Sequence, residues 1–248
     1  MENQPNAEWF EHVISKLEDV DDVLLMEGHQ KSHKKVSDAL ELLNWAEENL
    51  TRGTLPCIAT RHSTRKFKQE PIEEEKLRQV IEAGRQAPSG KNKQQNHFLV
   101  VRDKAVLERL VELVQQEFAK MEITDENSED IGGAIRLAKK GNYVFKYNAP
   151  CLIIVANKRN YGNRYADTAC AIENMMLAAN ALDLGSCWIN QLRWLKDNPV
   201  IMEYLYELGL HEEEAVFGSL SLGYADSEDG LPNRRMVPIK GNEVTYIG

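Results

Sequence analysis

The 248-residue sequence lacks a Cys-x-x-Cys pair, a long apolar run and an excess of basic charge. Its four cysteines, Cys57, Cys151, Cys170 and Cys187, each fall in or beside an apolar stretch, which indicates buried thiols in a reducing compartment rather than disulfides. No apolar run approaches the roughly 20 residues that span a bilayer, and the N-terminus lacks the basic and apolar regions of a signal peptide. These absences predict a soluble, cytoplasmic protein with no membrane partner.

Acidic side chains outnumber basic ones, 39 to 30, and the formal net charge is −9. An acidic surface repels phosphate backbones, so we expect no nucleic-acid partner. The charge is concentrated in residues 1–56, which hold 12 acidic and 5 basic side chains and carry apolar residues at helical spacing. Gly53 and Pro56 then interrupt the pattern. We therefore predict an acidic helical N-terminal extension over 1–56 and a main domain over 57–248.

Within the main domain, long amphipathic segments alternate with short runs of strand-forming residues. The predicted helices cover 71–87, about 104–121 and 165–182. The predicted strands are HFLVV (97–101), CLIIVA (151–156), SCWIN (186–190), GSLSLGY (218–224) and EVTYI (243–247). This alternation is typical of a layered α/β (α+β) domain.

The segment RHSTRKF (61–67) gathers positive charge in an acidic chain. Arg61, Ser63 and Arg65 alternate, so on an extended backbone their side chains point to one side. Two guanidinium groups with a hydroxyl between them suit a phosphate, because arginine donates paired, charge-assisted hydrogen bonds to phosphate oxygens. Taken alone, the segment is better explained as a solvated basic loop, since such short motifs are common.

A second polar cluster, APSGKNKQQNHF (87–98), lies between a predicted helix end and a predicted strand. Ser89, Asn92 and Gln94 offer donors and acceptors that can read the edge of a flat heterocycle, and Gly90 permits a close backbone approach. Taken alone, this cluster is also explained by an ordinary polar turn.

Two further clusters follow. In LGSCWIN (184–190), the turn at Gly185 can expose a backbone amide to a ligand ring, although a C-cap glycine explains it as well. The stretch PNRRM (232–236) adds a second basic pair, for which surface charge is the simpler explanation.

Together and in this order, the four clusters resemble the nitroreductase family of flavin mononucleotide (FMN) enzymes. The resemblance covers about residues 57–248 and is most specific from RHSTRKF to HFLVV, which is similar to the family's Arg-x-Ser-x-Arg segment, helix, Pro-Ser-x-x-Asn-x-Gln loop and strand. It implies a nitroreductase-like fold, with a central, mostly antiparallel sheet flanked by helices, in an intertwined homodimer.

The resemblance also implies which residues bind the flavin. Arg61, Ser63 and Arg65 would bind its phosphate, ribityl chain and pyrimidine edge, and His62 stands where a second arginine is frequent. Gly185 and Ser186 would direct backbone amides toward ring atoms N5 and O4.

The other implied FMN contacts come from two segments. Pro88, Ser89 and Gly90 would lie against the ring in the partner subunit's half of the site, where Asn92 and Gln94 would hydrogen-bond the ring and ribityl hydroxyls. Arg234 and Arg235 would close on the phosphate. Gln95 and Asn96 depart from the family pattern, in which a proline and an aromatic residue are common.

The function implied is that of an NAD(P)H-dependent oxidoreductase that passes two electrons to a small acceptor, such as a nitroaromatic or quinone, by a ping-pong mechanism. No side chain is assigned as catalytic, because the flavin carries the chemistry. No metal site is predicted, since His29 and His33 lack the acidic partner of an HExxH motif.

Two alternatives stay open. One is specialised flavin chemistry on the same fold, such as reductive dehalogenation or flavin fragmentation, for which a substrate lid would be sought at 122–147. The other is a non-catalytic flavin-binding module.

Overall fold

The computed structural model describes residues 7–51, 53–235 and 240–248, apart from the side chains at 7–11, 42 and 44–51. The chain divides into two compact units, Met1–Thr60 and Arg61–Gly248. Each is described by itself.

The first unit contains three helices, α1 (Ala7–Met26), α2 (Gln30–Thr51) and α3 (Thr54–Thr60). Helices α1 and α2 pack against each other across a short turn at Gly28, whose φ of 76° is open to glycine without strain. His33 Nδ1 lies 2.7 Å from Asp21 Oδ1 and joins the two helices. The sequence spacing predicted two helices here. It did not predict α3, which accommodates Pro56 in its first turn, where a missing N–H is tolerated.

The second unit is built on four strands, β1 (His97–Val101), β2 (Cys151–Lys158), β3 (Gly185–Ile189) and β4 (Glu214–Gly223). Their order in the sheet is β1-β2-β4-β3, and every neighbouring pair is antiparallel. The central strands β2 and β4 are almost wholly buried because helices cover both faces, which is why their sequences read as continuous apolar runs. The predicted antiparallel sheet flanked by helices is confirmed.

Six helices surround the sheet, namely α4 (Glu74–Arg85), α5 (Lys104–Ala119), α6 (Gly132–Lys139), α7 (Arg164–Ala181), α8 (Gln191–Trp194) and α9 (Pro199–Glu207). Successive side chains of a strand point to opposite faces, so β2 divides its residues between two cores. Leu152 and Ile154 join a core with α5, α6, α8 and α9. Ile153 and Val155 join a second core with α4 and α7.

One expectation fails in the second unit. The predicted strand at EVTYI is wrong, because residues 240–248 form no strand and Tyr246 and Ile247 are 92% and 96% exposed. Strand-forming residues form a strand only where they pair with a neighbouring strand, and this segment pairs with none in the described chain. The region 122–147, where a lid would be sought, contains α6 and is mostly exposed, although Ile131, Ile135 and Phe145 are buried, and its role as a lid stays a prediction. None of the helices among the described residues is long and apolar enough to cross a bilayer.

Candidate functional site

We call residues 61–65 the arginine segment. Its backbone runs alongside β3, where Ser63 forms a parallel bridge with Ser186 and the Thr64 N–H donates to the Ser186 carbonyl at 2.8 Å. Further on, the Lys68 N–H donates to the Tyr224 carbonyl at 3.0 Å, just beyond β4. These bonds hold the segment extended, as the alternation of its side chains requires.

The alternating side chains converge beside one buried thiol, that of Cys187 on β3. Burial raises the pKa of Cys187, whereas the Arg65 charge, a hydrogen bond from Ser63 and the Arg61 charge lower it. All three alternating residues therefore influence the same thiol. Burial prevails, so Cys187 remains a neutral thiol despite two adjacent guanidinium groups.

The guanidinium groups of the arginine segment have weak protein partners. Arg61 Nε lies 3.6 Å from Glu173 Oε1, and the Glu173 side chain is half exposed. The Arg65 guanidinium lies 5.9 Å from the centre of the Tyr147 ring. An exposed ion pair and a peripheral cation–π contact are each worth about 1 kcal/mol or less. An anion of higher charge can therefore replace them at little cost.

The C-terminal basic pair lies close to the arginine segment but has divided roles. His62 Nε2 donates to the Arg235 carbonyl, which fixes that end of the chain beside the segment. Arg234 instead turns to the C-terminus of α7, where its guanidinium donates to the Asp183 carboxylate at 2.7 Å and to the Asn180 carbonyl. Arg234 thus satisfies acceptors at a helix end, whereas the exposed side chain of Arg235 faces solvent.

Gly185 is in tight contact with the arginine segment. A Cβ at this position would lie 2.7 Å from Thr64 Cγ2 and 2.8 Å from Thr64 Oγ1. Glycine is required here for close packing of β3 against Thr64. Its neighbour Ser186 uses its carbonyl to bind the Thr64 N–H.

We call residues 88–94 the amide loop. Its polar side chains mostly bind other parts of the loop, since Ser89 Oγ accepts from the Gln94 N–H at 2.9 Å and Gln94 Nε2 donates to Asn92 Oδ1 at 3.0 Å. Lys91, Asn92 and Gln94 all have positive φ, between 50° and 56°. Three left-handed residues in four positions are costly, so these side-chain bonds are needed to hold the conformation.

The amide loop is anchored to the start of α7. Asp167 Oδ1, on a side chain that is 3% exposed, accepts from the Gly90 N–H at 3.1 Å, and the Tyr161 hydroxyl donates to the Gly90 carbonyl at 3.1 Å. A Cβ on Gly90 would lie 2.0 Å from Asn163 Nδ2. The glycine predicted to allow close approach of a ligand is therefore also required by the protein's own packing.

Asn96 supports the same anchor from the other side. Its Nδ2 donates to the Asp167 carbonyl at 3.0 Å, and its Oδ1 accepts from Asn157 Nδ2 at 2.9 Å and Thr168 Oγ1 at 3.3 Å. The departure from the family pattern at this position thus has a structural role, because the amide joins β1, β2 and α7.

The predicted flavin contacts fall into two groups within one chain. The first comprises Arg61, His62, Ser63, Arg65, Gly185, Ser186, Arg234 and Arg235, which lie in or beside the arginine segment and at the last turn of α7. The second comprises Pro88, Ser89, Gly90, Asn92 and Gln94, which lie at the first turn of α7. Asp167 and Asn180 are 13 residues apart on this helix, which corresponds to about 20 Å at 1.5 Å per residue.

Two cavities lie near these groups. One of about 390 Å³ adjoins the amide loop and is lined by Ser89, Gln94 and Asn96 among others. A larger one of about 750 Å³ lies between α5 and the start of β2, lined by Leu107, Lys146 and other residues that do not belong to the predicted FMN set. Cavity size alone would thus favour the second space, but the convergent cations and hydrogen-bonding loop favour the site described above.

Sequence reasoning missed the residues that support the site. Asp167 was not singled out, although a carboxylate inside the apolar helix YADTACAIENMM is a signal, since buried acidic residues almost always have partners. Glu173 and Tyr147, the partners of Arg61 and Arg65, gave no such signal because both are partly exposed and distant in sequence.

Comparison with known proteins gives a consistent result. The family model described as the nitroreductase family matches residues 58–224. A crystal structure of a nitroreductase with bound FMN from Bacteroides fragilis is 35% identical, with a TM-score of 0.70 over 79% of this chain and 99% of that chain. One from Desulfitobacterium hafniense, also with bound FMN, is 28% identical, with a TM-score of 0.65 over 79% and 98%.

A protein from Archaeoglobus fulgidus that carries the provisional name NADH dehydrogenase/NAD(P)H nitroreductase is 29% identical over 179 residues, 70% of this chain and 86% of that protein. The family match extends from α3 through the whole sheet to the end of β4 and includes both groups of predicted flavin contacts except Arg234 and Arg235. The chain therefore belongs to the nitroreductase family, and the resemblance drawn from its four polar clusters is confirmed.

Proposed function

We propose that the protein is an FMN-dependent oxidoreductase that oxidises NAD(P)H and passes two electrons to a small acceptor, such as a nitroaromatic or quinone, by a ping-pong mechanism. The observation that carries this proposal is the extended arginine segment held along β3 at Ser186, in which Arg61 and Arg65 have weak, partly exposed partners among the described residues. The FMN bound in the structures from B. fragilis and D. hafniense and the name of the A. fulgidus relative support it.

The residues present fit a flavin phosphate. Among the described residues, the partners of Arg61 and Arg65 are a half-exposed carboxylate and the Tyr147 ring, so both can turn their donors to an anion. Arg235 lies beside them through the His62 contact and has an exposed side chain. Arg234 is committed to the end of α7, and we assign it a positioning role that holds Arg235 in place.

When bound, FMN would supply the redox chemistry, namely hydride acceptance and two-electron transfer. The protein's own residues bind and orient the cofactor. Arg65 contributes positive charge that favours the accumulation of negative charge on a ligand beside it. The amide loop contributes a fixed shape rather than freely moving side chains, because Ser89, Asn92 and Gln94 already bond within the loop.

No side chain of the arginine segment or the amide loop is assigned as a proton donor. Cys187 carries the side chain that most resembles a nucleophile, but burial raises its pKa and keeps the thiol protonated. This supports the assignment of the redox chemistry to the cofactor.

We further propose a homodimer in which the arginine segment of one protomer and the amide loop of its partner form one site. The contacts that the two groups make with α7 support this arrangement, since the amide loop bonds to Asp167, whereas Arg61 lies at Glu173 and Arg234 at Asn180.

A visible absorption spectrum of the purified protein, recorded without oxygen before and after addition of NADH or NADPH, tests the function. The oxidised flavin bands should be present and should bleach with at least one donor. A protein that cannot be reconstituted with FMN would contradict the assignment. A flavin-loaded protein that neither donor reduces would leave only a binding module.

Subunit mixing tests the shared site. At limiting FMN, Arg61→Ala and Gly90→Ala should each abolish most of the activity of a homodimer, but a heterodimer of the two variants contains one intact site. Random pairing of equal amounts should restore about a quarter of the wild-type activity. Activity that stays at the level of the two separate variants would show that each site is built within one chain.

A further inference from the structure

Two imidazoles and one carboxylate meet at a corner of the sheet, and none of the three belongs to the predicted flavin contacts. His97 Nδ1 lies 2.7 Å from Glu214 Oε2, and His211 Nδ1 lies 3.6 Å from the same oxygen. The two imidazole centres are 5.1 Å apart. One ligand atom from each residue lies within 4.8 Å of the other two.

The strand register fixes two of these residues. His97 pairs with Ala156 across β1 and β2, and Ala156 pairs with Val216 across β2 and β4. Glu214 lies two residues before Val216 and therefore projects from the same face of the sheet. Both side chains thus start from strands of the same sheet, β1 and β4, which flank β2, rather than from loops.

The third residue is held by the carboxylate itself. His211 belongs to the turn between α9 and β4, and its backbone N–H donates to Glu214 Oε2 at 3.1 Å. Glu214 is therefore the centre of the cluster, with a histidine on either side.

The carboxylate of this cluster is more deeply buried than is usual in a surface ion pair. The Glu214 side chain is 7% exposed, whereas those of His97 and His211 are 31% and 64% exposed. A carboxylate removed from water needs strong compensation. The two imidazoles provide nitrogen ligands on its solvent side, so that the cluster is closed toward the core and open toward water.

Two imidazole nitrogens and one carboxylate oxygen are a ligand set that zinc accepts, with a fourth position left for water or a small ligand. We propose that His97, His211 and Glu214 bind a divalent transition metal ion of the zinc type. The proton that His97 and Glu214 share would leave to solvent when the ion takes its place. Sequence reasoning found no metal site because His97 lies more than a hundred residues before His211 and Glu214, and the three match no spacing motif.

The ion would join three elements that are otherwise only partly connected. A groove of about 350 Å³ follows the edge strand β1 and separates it from Leu208 and Gly209, which precede the turn of His211. An ion held from both sides would fasten this turn to the sheet edge. The expected consequence is a rise in the unfolding temperature in the presence of zinc, because the ligand binds only the folded arrangement.

Equilibrium dialysis of the full-length, untagged, flavin-loaded protein against zinc tests the proposal, with bound zinc measured by atomic emission. Wild type should hold one zinc per chain. His211→Gln and His97→Gln should each weaken binding by at least about 10-fold, the lower end of the loss seen when only an outer partner of a metal ligand is removed. Retained flavin absorbance and an unchanged melting curve without zinc would establish that the variants fold.

His33→Gln is the matched control. His33 also lies against a carboxylate, that of Asp21, but has no third ligand placed with it in the structure described. This variant should retain the stoichiometry and the zinc-dependent thermal shift of wild type. A wild-type protein that holds no more zinc than the His211→Gln variant would overturn the proposal and leave the cluster as an ion pair.

Discussion

The arginine segment and the amide loop, the two halves of the predicted flavin site, differ in what their polar side chains are bound to. In the arginine segment the backbone is fixed by β3, whereas Arg61 and Arg65 have only weak, partly exposed partners. In the amide loop the reverse holds. The side chains of Ser89, Asn92 and Gln94 form hydrogen bonds within the loop, and Asp167 and Tyr161 bind the Gly90 backbone.

This difference teaches what each half can contribute. A side chain with a weak partner can exchange it for a ligand, so the arginine segment can supply binding energy. A side chain that stabilises left-handed backbone cannot leave its partner for a ligand without loss of stability. The amide loop can therefore offer a ligand a rigid surface and its backbone groups. Substitutions in the first half should change affinity, and substitutions in the second should change stability first.

The largest expected effect is on FMN affinity in the arginine segment. Arg61→Ala removes a charge-assisted contact of about 1.5–3 kcal/mol, which corresponds to about one to two decades in Kd. The free energy of unfolding should change by less than about 0.5 kcal/mol, because the lost ion pair with Glu173 is exposed. Fluorescence titration with FMN measures the first quantity and urea denaturation the second.

Arg234→Ala is the matched comparison from the same basic cluster. It removes the hydrogen bonds that Arg234 donates to the Asp183 carboxylate and the Asn180 carbonyl and should lower the free energy of unfolding by about 1–3 kcal/mol. If Arg61→Ala and Arg234→Ala had equal effects on FMN affinity at equal stability, the division of roles between these arginines would be wrong.

The next effect concerns the anchor of the amide loop. Asp167→Ala leaves the Gly90 N–H without its acceptor, which should cost about 1–3 kcal/mol. Hydrogen exchange of the Gly90 amide should therefore become faster than in wild type. Asp167→Asn keeps an acceptor oxygen and should retain most of the protection. Equal exchange rates in wild type and Asp167→Ala would show that the loop is held by other contacts.

A smaller effect is expected where the arginine segment meets β3. Gly185→Ala places a Cβ within 2.8 Å of two Thr64 atoms and should lower stability by about 1–3 kcal/mol, toward the lower end because Thr64 lies at the sheet margin. Gly133→Ala is the control, since a Cβ in α6 there meets nothing within 4 Å and alanine favours helix. Thermal melts compare the two. A stable Gly185→Ala variant would mean that Thr64 moves freely.

The smallest effect tests the weak partner itself. Glu173→Gln releases Arg61 from its ion pair and should raise FMN affinity by less than about 5-fold, equivalent to 1 kcal/mol. Glu75→Gln removes a comparable exposed pair with Arg78 and should leave the affinity unchanged. A fall in affinity with Glu173→Gln would assign this carboxylate to the binding of the flavin rather than to competition with it.

The sequence predicted the parts of the fold that depend on local pattern. Strands at 97–101 and 151–156 and helices at 104–121 and 165–182 have the expected period over a long enough run to be recognised. The short helices α6 and α8 were missed because eight and four residues define no period. The false strand at EVTYI had the right composition, but pairing depends on a neighbour that composition does not reveal.

The candidate site was predictable to the extent that its chemistry lies in contiguous motifs. Arg61, Ser63 and Arg65 could be placed on one side by alternation alone, and the structure brings them together at Cys187. The hydrogen bond from Arg234 to Asp183 could not be predicted, because it depends on how a segment distant in sequence returns to the end of α7. For the same reason, the cluster of His97, His211 and Glu214 is visible only once the strands are in register.

Helix α7 fixes the relative rotation of the two halves of the site about the helix axis as well as the distance between them. It holds the amide loop through Asp167 at one end and Arg234 through Asn180 at the other. One residue inserted between those contacts would advance the far end by about 1.5 Å and rotate it by about 100°. No compensating adjustment of either half could restore both contacts, so the length of this helix should be as constrained as the identity of any residue that it positions.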